Sequence, residues 1–188
     1  SARVEGTVNF TTKDGRPAQL RVARVSDAAA LVALDAALLR AGEGTVGGPQ
    51  DARSVEEEAR RIDDLYRGFS AGEATTSIVA ELLEPDPTIV ALAGIKQFGP
   101  SYLRHVAYLG IGVHPDFQSL GIGRALMQAL VDHAAQCGIE RLELYVRSDN
   151  PRAHSLYRAF RFSHEGTRRK FVKLPTGTYV DDEIWVRF

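Results

Sequence analysis

The chain has 188 residues, 44% of them hydrophobic and 25% charged, with 23 basic side chains against 24 acidic ones. That length and composition predict one soluble globular domain over residues 1–188 with a sizeable core, and the near-neutral balance gives no electrostatic reason to expect a nucleic-acid partner. The single cysteine, Cys137, excludes an internal disulfide and fits a reducing, cytoplasmic compartment; no stretch is long and apolar enough to span a membrane, and Ser1-Ala2-Arg3 begins no signal-peptide core.

Residues 4–11 (VEGTVNFT) and 18–25 (AQLRVARV) predict two strands, joined by turn chemistry at Lys13-Asp14-Gly15-Arg16-Pro17. Residues 1–17 are thus an extra N-terminal strand and turn. Ser26-Asp27 predicts a cap for an Ala- and Leu-rich helix over 28–40. The next stretch, 41–53, contains Gly42, Gly44, Gly47, Gly48 and Pro49 and predicts a mobile loop of the kind that serves as a lid. Ser54-Val55-Glu56-Glu57 is a capping box, and Val55, Ala59, Ile62, Tyr66 and Phe69 make a helical apolar stripe. From Thr75 the pattern changes to strands over 75–83, 89–98 and 104–113, with turns at Glu84-Pro85-Asp86-Pro87 and Gly99-Pro100-Ser101. These make an antiparallel meander.

The chain is organised around 108–130 (YLGIGVHPDFQSLGIGRALMQAL). Residues 108–113 read as a buried strand, stopped by Pro115. Gln118-Ser119-Leu120-Gly121-Ile122-Gly123 then leads into helical spacing at Ile122, Ala125, Leu126, Ala129, Leu130 and Ala134. Glycines at a helix start let a ligand approach the backbone, and free first-turn N–H groups attract an anion. The stretch therefore predicts a phosphate cradle. It is not Walker A, since no lysine follows Gly123, and not the dinucleotide fingerprint, whose third glycine is replaced by Leu126. Cys137-Gly138 predicts the helix end, and 140–147 alternates like a strand. Strand, helix and strand imply a right-handed crossover, so 108–113 and 142–146 should be parallel neighbours.

Asn150-Pro151 predicts another helix start, with Ala153, Leu156, Tyr157 and Phe160 on one face. Asn150 and Tyr157 are two turns apart, about 10 Å, and point the same way. Among the histidines, His114 reads as structural and His154 and His164 as solvated. His133 and Cys137 share a helix face, but two ligands alone make no metal site, and none is expected. Arg168-Arg169-Lys170 reads as a charged strand edge.

Gln118, Gly121 and Gly123 after Val113-His114-Pro115, together with Val146-x3-Asn150-x2-Ala153-x2-Leu156-Tyr157, resemble the two signature blocks of the GNAT superfamily of N-acetyltransferases. The resemblance is specific over 105–165 and architectural elsewhere. It implies an α/β fold with a central mixed sheet of about seven strands, a parallel pair splayed at its centre, and about four helices. The closing strands are expected at 167–174 and 179–184. It implies acetyl-CoA as cosubstrate, with backbone amides at Gln118, Ser119, Leu120, Gly121, Ile122, Gly123 and Arg124 on the diphosphate. Asn150 would meet the pantetheine arm, and backbone N–H groups at Ile111, Gly112 and Val113 the oxyanion. Tyr157 would be the general acid on the departing thiolate, helped by phenol and thiol pKa values about two units apart. The base is left open among His105, Tyr108, Glu81 and Glu43; His105 has the most suitable unperturbed pKa. Glu43, Glu81 and Tyr108 are also candidates for holding a cationic acceptor. One departure stands out: the family's LY-x3-GF has Arg161 at the glycine, where a left-handed cap is usual.

The implied function is transfer of an acetyl group to a primary amine, most readily a small molecule. A protein amino terminus or lysine is the alternative acceptor, and a non-catalytic acyl-CoA-binding module is the third reading. A homodimer formed through the sheet edges is expected.

Overall fold

The computed structural model describes residues 6–188 and contains an eight-stranded mixed sheet in the order β1-β2-β3-β4-β5-β6-β8-β7. β1 (Val8–Thr11) and β2 (Pro17–Val22) form the N-terminal hairpin. The Val4 and Glu5 end of the predicted first strand lies outside the described residues. β3 (Thr76–Leu82), β4 (Thr88–Gln97) and β5 (Val106–Val113) continue the antiparallel meander. β6 (Arg141–Arg147) follows the crossover, and β7 (Ser163–Lys173) and β8 (Tyr179–Arg187) close the chain as a hairpin. β8 rather than β7 pairs with β6, and the N-terminal hairpin takes the count to eight, one above the expected seven.

Helices cover both faces. α1 (Ala28–Ala41) and α2 (Val55–Ser70) lie on one, with Leu31, Leu34 and Ile62 buried against Val79 of β3. α3 (Ile122–Gln136) and α4 (Pro151–Ala159) contribute to the other. There Leu126, Met127 and Leu130 are fully buried in a cluster with Ile78, Ile95 and Leu109. Burial of that kind is what holds the crossover helix on the sheet; truncating one such leucine costs roughly 2–5 kcal/mol.

Several local expectations change in the structure. Asp27 caps α1 by position only. Its carboxylate is buried instead against Arg21 (2.8 and 2.9 Å) and accepts the Arg24 N–H at 2.7 Å. In α2 the capping box forms as read, with Ser54 N–H donating to Glu57 and Glu57 N–H to Ser54. The stripe, however, is buried only around Ile62: Val55 and Tyr66 are exposed, and Glu58 takes a buried place. Segment 41–53 carries some local structure. Gly42 ends α1 in the left-handed region at φ 69°, and Pro49–Asp51 forms a single 3-10 turn. The parallel pairing is also shorter than expected. It joins Val106–Tyr108 to Arg141–Glu143 and stops there. Beyond Tyr108, β5 stays with β4 and β6 stays with β8, so a wedge opens between the central strands.

Candidate active site

The wedge is the head of a cleft of about 800 Å³. Its walls are the end of β5, the loop into α3, the start of α4 and the end of α1. In the loop, Ser119 sits at φ 63° and Gly121 at φ 86°, the latter as N-cap of α3. Left-handed backbone in this place turns successive N–H groups to one side, as an anion-binding concavity requires. Gly123 faces Leu156 across the cleft; a Cβ there would reach Leu156 Cδ2 at 3.6 Å and Val113 at 3.8 Å. Lys13, Arg124 and Arg152 line the same cleft. Cations, amide donors and absent side chains together suit a phosphate-bearing nucleotide cofactor.

Asn150 caps α4, its Oδ1 accepting the Ala153 N–H at 3.2 Å. Its amide nitrogen therefore faces Gly44, whose missing Cβ would come within 2.5 Å. Tyr157 lies seven residues on, 7% exposed and lining the cleft, with no hydrogen bond to its hydroxyl among the described residues. Burial alone pushes its pKa up to about 12. The phenol stays protonated, but its gap to an ordinary thiol is then roughly three to four units, wider than the free side chains suggest.

Past Tyr108 the β6-facing edge of β5 has no ladder partner, so its backbone polar groups from 109 to 113 open into the wedge. Ile111, Gly112 and Val113 all line the cleft, as do Gln118, Ser119, Gly121, Ile122, Gly123 and Arg124. Leu120 does not: its side chain packs on the core and its carbonyl accepts a bond from Lys13.

Ile111, Gly112 and Leu38 also border a second cavity of about 430 Å³ on the α1–α2 side. Its floor includes Gly94 of β4 and Gly110 of β5, which pair directly across the ladder. Their missing side chains make the space, since a Cβ on Gly110 would touch nothing within 4 Å. Leu31, Leu34, Asp35, Glu58 and Arg61 reach it from the helices, and Lys96 and Tyr108 from the sheet. Glu58 is 3% exposed and committed to Arg61 through bonds of 2.6–3.1 Å. Asp35 is less engaged, with Arg53 at 4.0 Å.

The remaining candidates separate cleanly. Tyr108 lines the second cavity and Glu43 the first. Glu81 lines neither. It accepts bonds from Gln19 (2.7 Å) and Arg21 (2.8 Å) and completes a structural ion cluster with Asp27. His105 is exposed at the far end of β5, where its carbonyl accepts the Glu140 and Arg141 N–H groups. Six residues of strand, about 20 Å, separate it from Ile111. Neither residue lines either cavity. His114 is structural as read, its Nδ1 accepting the Asp116 N–H. His154 is not solvated; it stacks on Trp185 at 5.2 Å with Nε2 3.0 Å from Glu183. Arg168 is engaged with Asp182.

Sequence reading missed Arg147. It is 5% exposed at the end of β6 and donates to Gly42 O (2.9 Å), Thr45 O (2.8 Å) and both oxygens of Asp149. This guanidinium ties the glycine loop to the cleft. No spacing signal marks a contact 102 or 105 residues away in sequence.

Comparison with known proteins bears on the family and the fold. The N-alpha-acetyltransferase RimI of Mycobacterium tuberculosis is 39% identical over 87 residues, 46% of this chain and 53% of that protein. The chain thus spans about half the length of the curated relative it matches. Among solved structures, a GNAT-family acetyltransferase from Streptococcus pneumoniae superimposes with TM-score 0.81 at 22% identity, covering 90% of this chain and 98% of that one. A GNAT-superfamily phosphinothricin acetyltransferase from Sinorhizobium meliloti, solved with AcCoA, gives 0.78 at 21% identity over 90% and 87%. The model of the acetyltransferase (GNAT) family matches residues 48–162, more than half of the chain. The chain belongs to the GNAT acetyltransferase family.

Proposed function

We propose that this protein transfers the acetyl group of acetyl-CoA to a primary amine. The observation that carries the reading is the meeting of two cavities at Gly112: a basic, amide-lined cleft and a smaller glycine-floored pocket. The fit of the first to acetyl-CoA rests on the left-handed Ser119 and Gly121, on Gly123, and on the cations beside them.

When bound, acetyl-CoA supplies a thioester carbonyl open to attack by a neutral amine. Backbone N–H groups of the free β5 edge would stabilise the developing oxyanion. Asp35 is the carboxylate placed to take the proton of the amine, since Glu58 is held by Arg61, and the Tyr108 hydroxyl on the wall of the same cavity can relay it. Tyr157 faces the other side of the junction. Burial raises its pKa to about 12, which keeps the phenol protonated and able to serve as general acid towards the leaving sulfur.

The acceptor we favour is small, because the pocket of about 430 Å³ is roofed by α1 and α2. A protein amino terminus is the second reading, favoured by the N-alpha-acetyltransferase relative. The reading includes a cytoplasmic homodimer, for which light scattering on the purified protein is the check.

Calorimetric titration of acetyl-CoA, followed by thiol release across a panel of amino acids, polyamines, aminoglycosides and an Ala-terminated peptide, tests the proposal. Saturable binding with turnover of a small amine supports it. Turnover of the peptide alone selects the second reading, and absence of acetyl-CoA binding removes the enzyme reading.

A further inference from the structure

The β1–β2 hairpin lies outside the family-matched segment, yet its turn is built into the cofactor cleft. Lys13 N–H donates to Leu120 O at 3.0 Å, and the Arg16 guanidinium stands 5.3 Å over the Phe117 ring. Both contacts land on the segment that carries the anion cradle. The turn itself is fixed. Thr12 is 3% exposed, its N–H donates to Arg16 O, its Oγ1 accepts the Arg16 N–H, and its carbonyl accepts the Gly15 N–H. Such a turn can position a side chain rather than trail it.

Charge within the turn is unevenly spent. Asp14 is the turn's one carboxylate, held by the Thr12 hydroxyl at 2.5 Å and by Arg16 at 2.6 Å. Lys13 has no ion-pair partner among the described residues. Its stem lies across Gly121, where a Cβ would come 3.8 and 3.9 Å from Lys13 Cγ and Cε. The absent side chain of Gly121 is therefore the bed on which Lys13 crosses the mouth of the cradle. A compact ammonium there complements neutral amide donors, which orient an anion without balancing its charge.

We propose that Lys13 is a diphosphate-binding residue, and that the N-terminal hairpin is an arm of the cofactor site, adding its ammonium to the cations of Arg124 and Arg152 beside the cradle. The inference rests on reading the cleft as an acetyl-CoA site. Its test is calorimetry of CoA and of 3′-dephospho-CoA with wild type, Lys13→Met and Lys13→Arg, at several salt concentrations. Lys13 is exposed, so neither substitution disturbs the core. The expected result is about tenfold weaker binding of both ligands by Lys13→Met, the loss due to one charge-assisted contact. Its salt dependence should be shallower than that of wild type, and Lys13→Arg should recover most of the affinity.

Unchanged CoA affinity in Lys13→Met overturns the proposal. So does a loss that keeps the wild-type salt dependence, or that Lys13→Arg shares. A loss confined to CoA and absent with dephospho-CoA overturns the diphosphate assignment. If wild type itself binds no CoA, the acetyl-CoA reading falls and takes this inference with it; wild-type binding that Lys13→Met matches removes the inference alone.

Discussion

The two cavities meet at Gly112 but are built from different kinds of residue. The cofactor side is assembled from two short runs of chain within residues 111–124 and 147–157, with additions from the N-terminal hairpin and residues 38–44. Its parts are backbone amides, left-handed residues and capped helix starts, all of which leave marks in sequence. The proposed acceptor side is drawn from five separate elements, α1, α2, β3, β4 and β5, and consists largely of leucines, paired glycines and mutually neutralising charges. Local backbone chemistry makes the first, and tertiary assembly makes the second. A cofactor shared by many enzymes can be held by backbone, whereas an acceptor must be shaped by side chains.

The largest effect should follow from filling the acceptor side. Gly110→Leu places a side chain into open space without backbone strain, because Gly110 is not in the left-handed region. Turnover should fall about 100-fold or more, the scale of displacing a reacting group by an ångström. A loss under tenfold in steady-state kinetics would show that the acceptor lies elsewhere. Tyr157→Phe should reduce kcat on the order of 100-fold while the acetyl-CoA Kd changes little. If affinity falls in step with rate, Tyr157 belongs to binding alone.

Tyr157 also makes a pH prediction. Its folded pKa is raised to about 12 from about 10 in the unfolded chain, so between those values the unfolded state gives up the proton and the folded state keeps it. The associated stability is complete below pH 10 and is lost as pH rises towards 12. Urea titrations should show wild type losing more stability than Tyr157→Phe across that window, by about 2 kcal/mol. Parallel curves would mean the phenol is open to water.

Arg147→Met tests the tie between the glycine loop and the cofactor cleft. Removing the guanidinium leaves the Gly42 and Thr45 carbonyls without their donor, a loss of about 2–3 kcal/mol read as a lower unfolding midpoint. Amide exchange should quicken over 43–46, and unchanged exchange there would separate Arg147 from loop order. The smallest effect is expected at Arg161, which takes φ 65° to complete the α4 cap. Arg161→Gly should stabilise the protein by about 1 kcal/mol with activity unchanged. A destabilised variant would mean that the arginine makes contacts that outweigh its backbone strain.

The same division decides what could be read from sequence. Gln118-Ser119-Leu120-Gly121-Ile122-Gly123 and Asn150-Pro151 act through caps and turns formed within a few residues, so their positions in the cleft follow from local rules. The meander and crossover follow from periodicity, but the insertion of β8 beside β6 does not, because both closing strands carry strand chemistry and only packing chooses between them. Glu81 and His105 misled for a shared reason. Their side-chain chemistry is suitable, but catalytic value depends on which end and face of a strand they occupy, and Glu81 is committed to the Arg21 cluster. Arg147, Gly94 and Gly110 carried no signal, since a long-range tie and an empty space are made only when distant elements meet.

The most direct test of the account is calorimetric titration of acetyl-CoA into wild type and Gly110→Leu side by side, with amine turnover measured on the same samples. The account predicts the same acetyl-CoA Kd within about twofold and loss of turnover only in the variant. An equal loss of acetyl-CoA affinity in Gly110→Leu would show that the two cavities are one site, and would contradict the separation on which the proposed function stands.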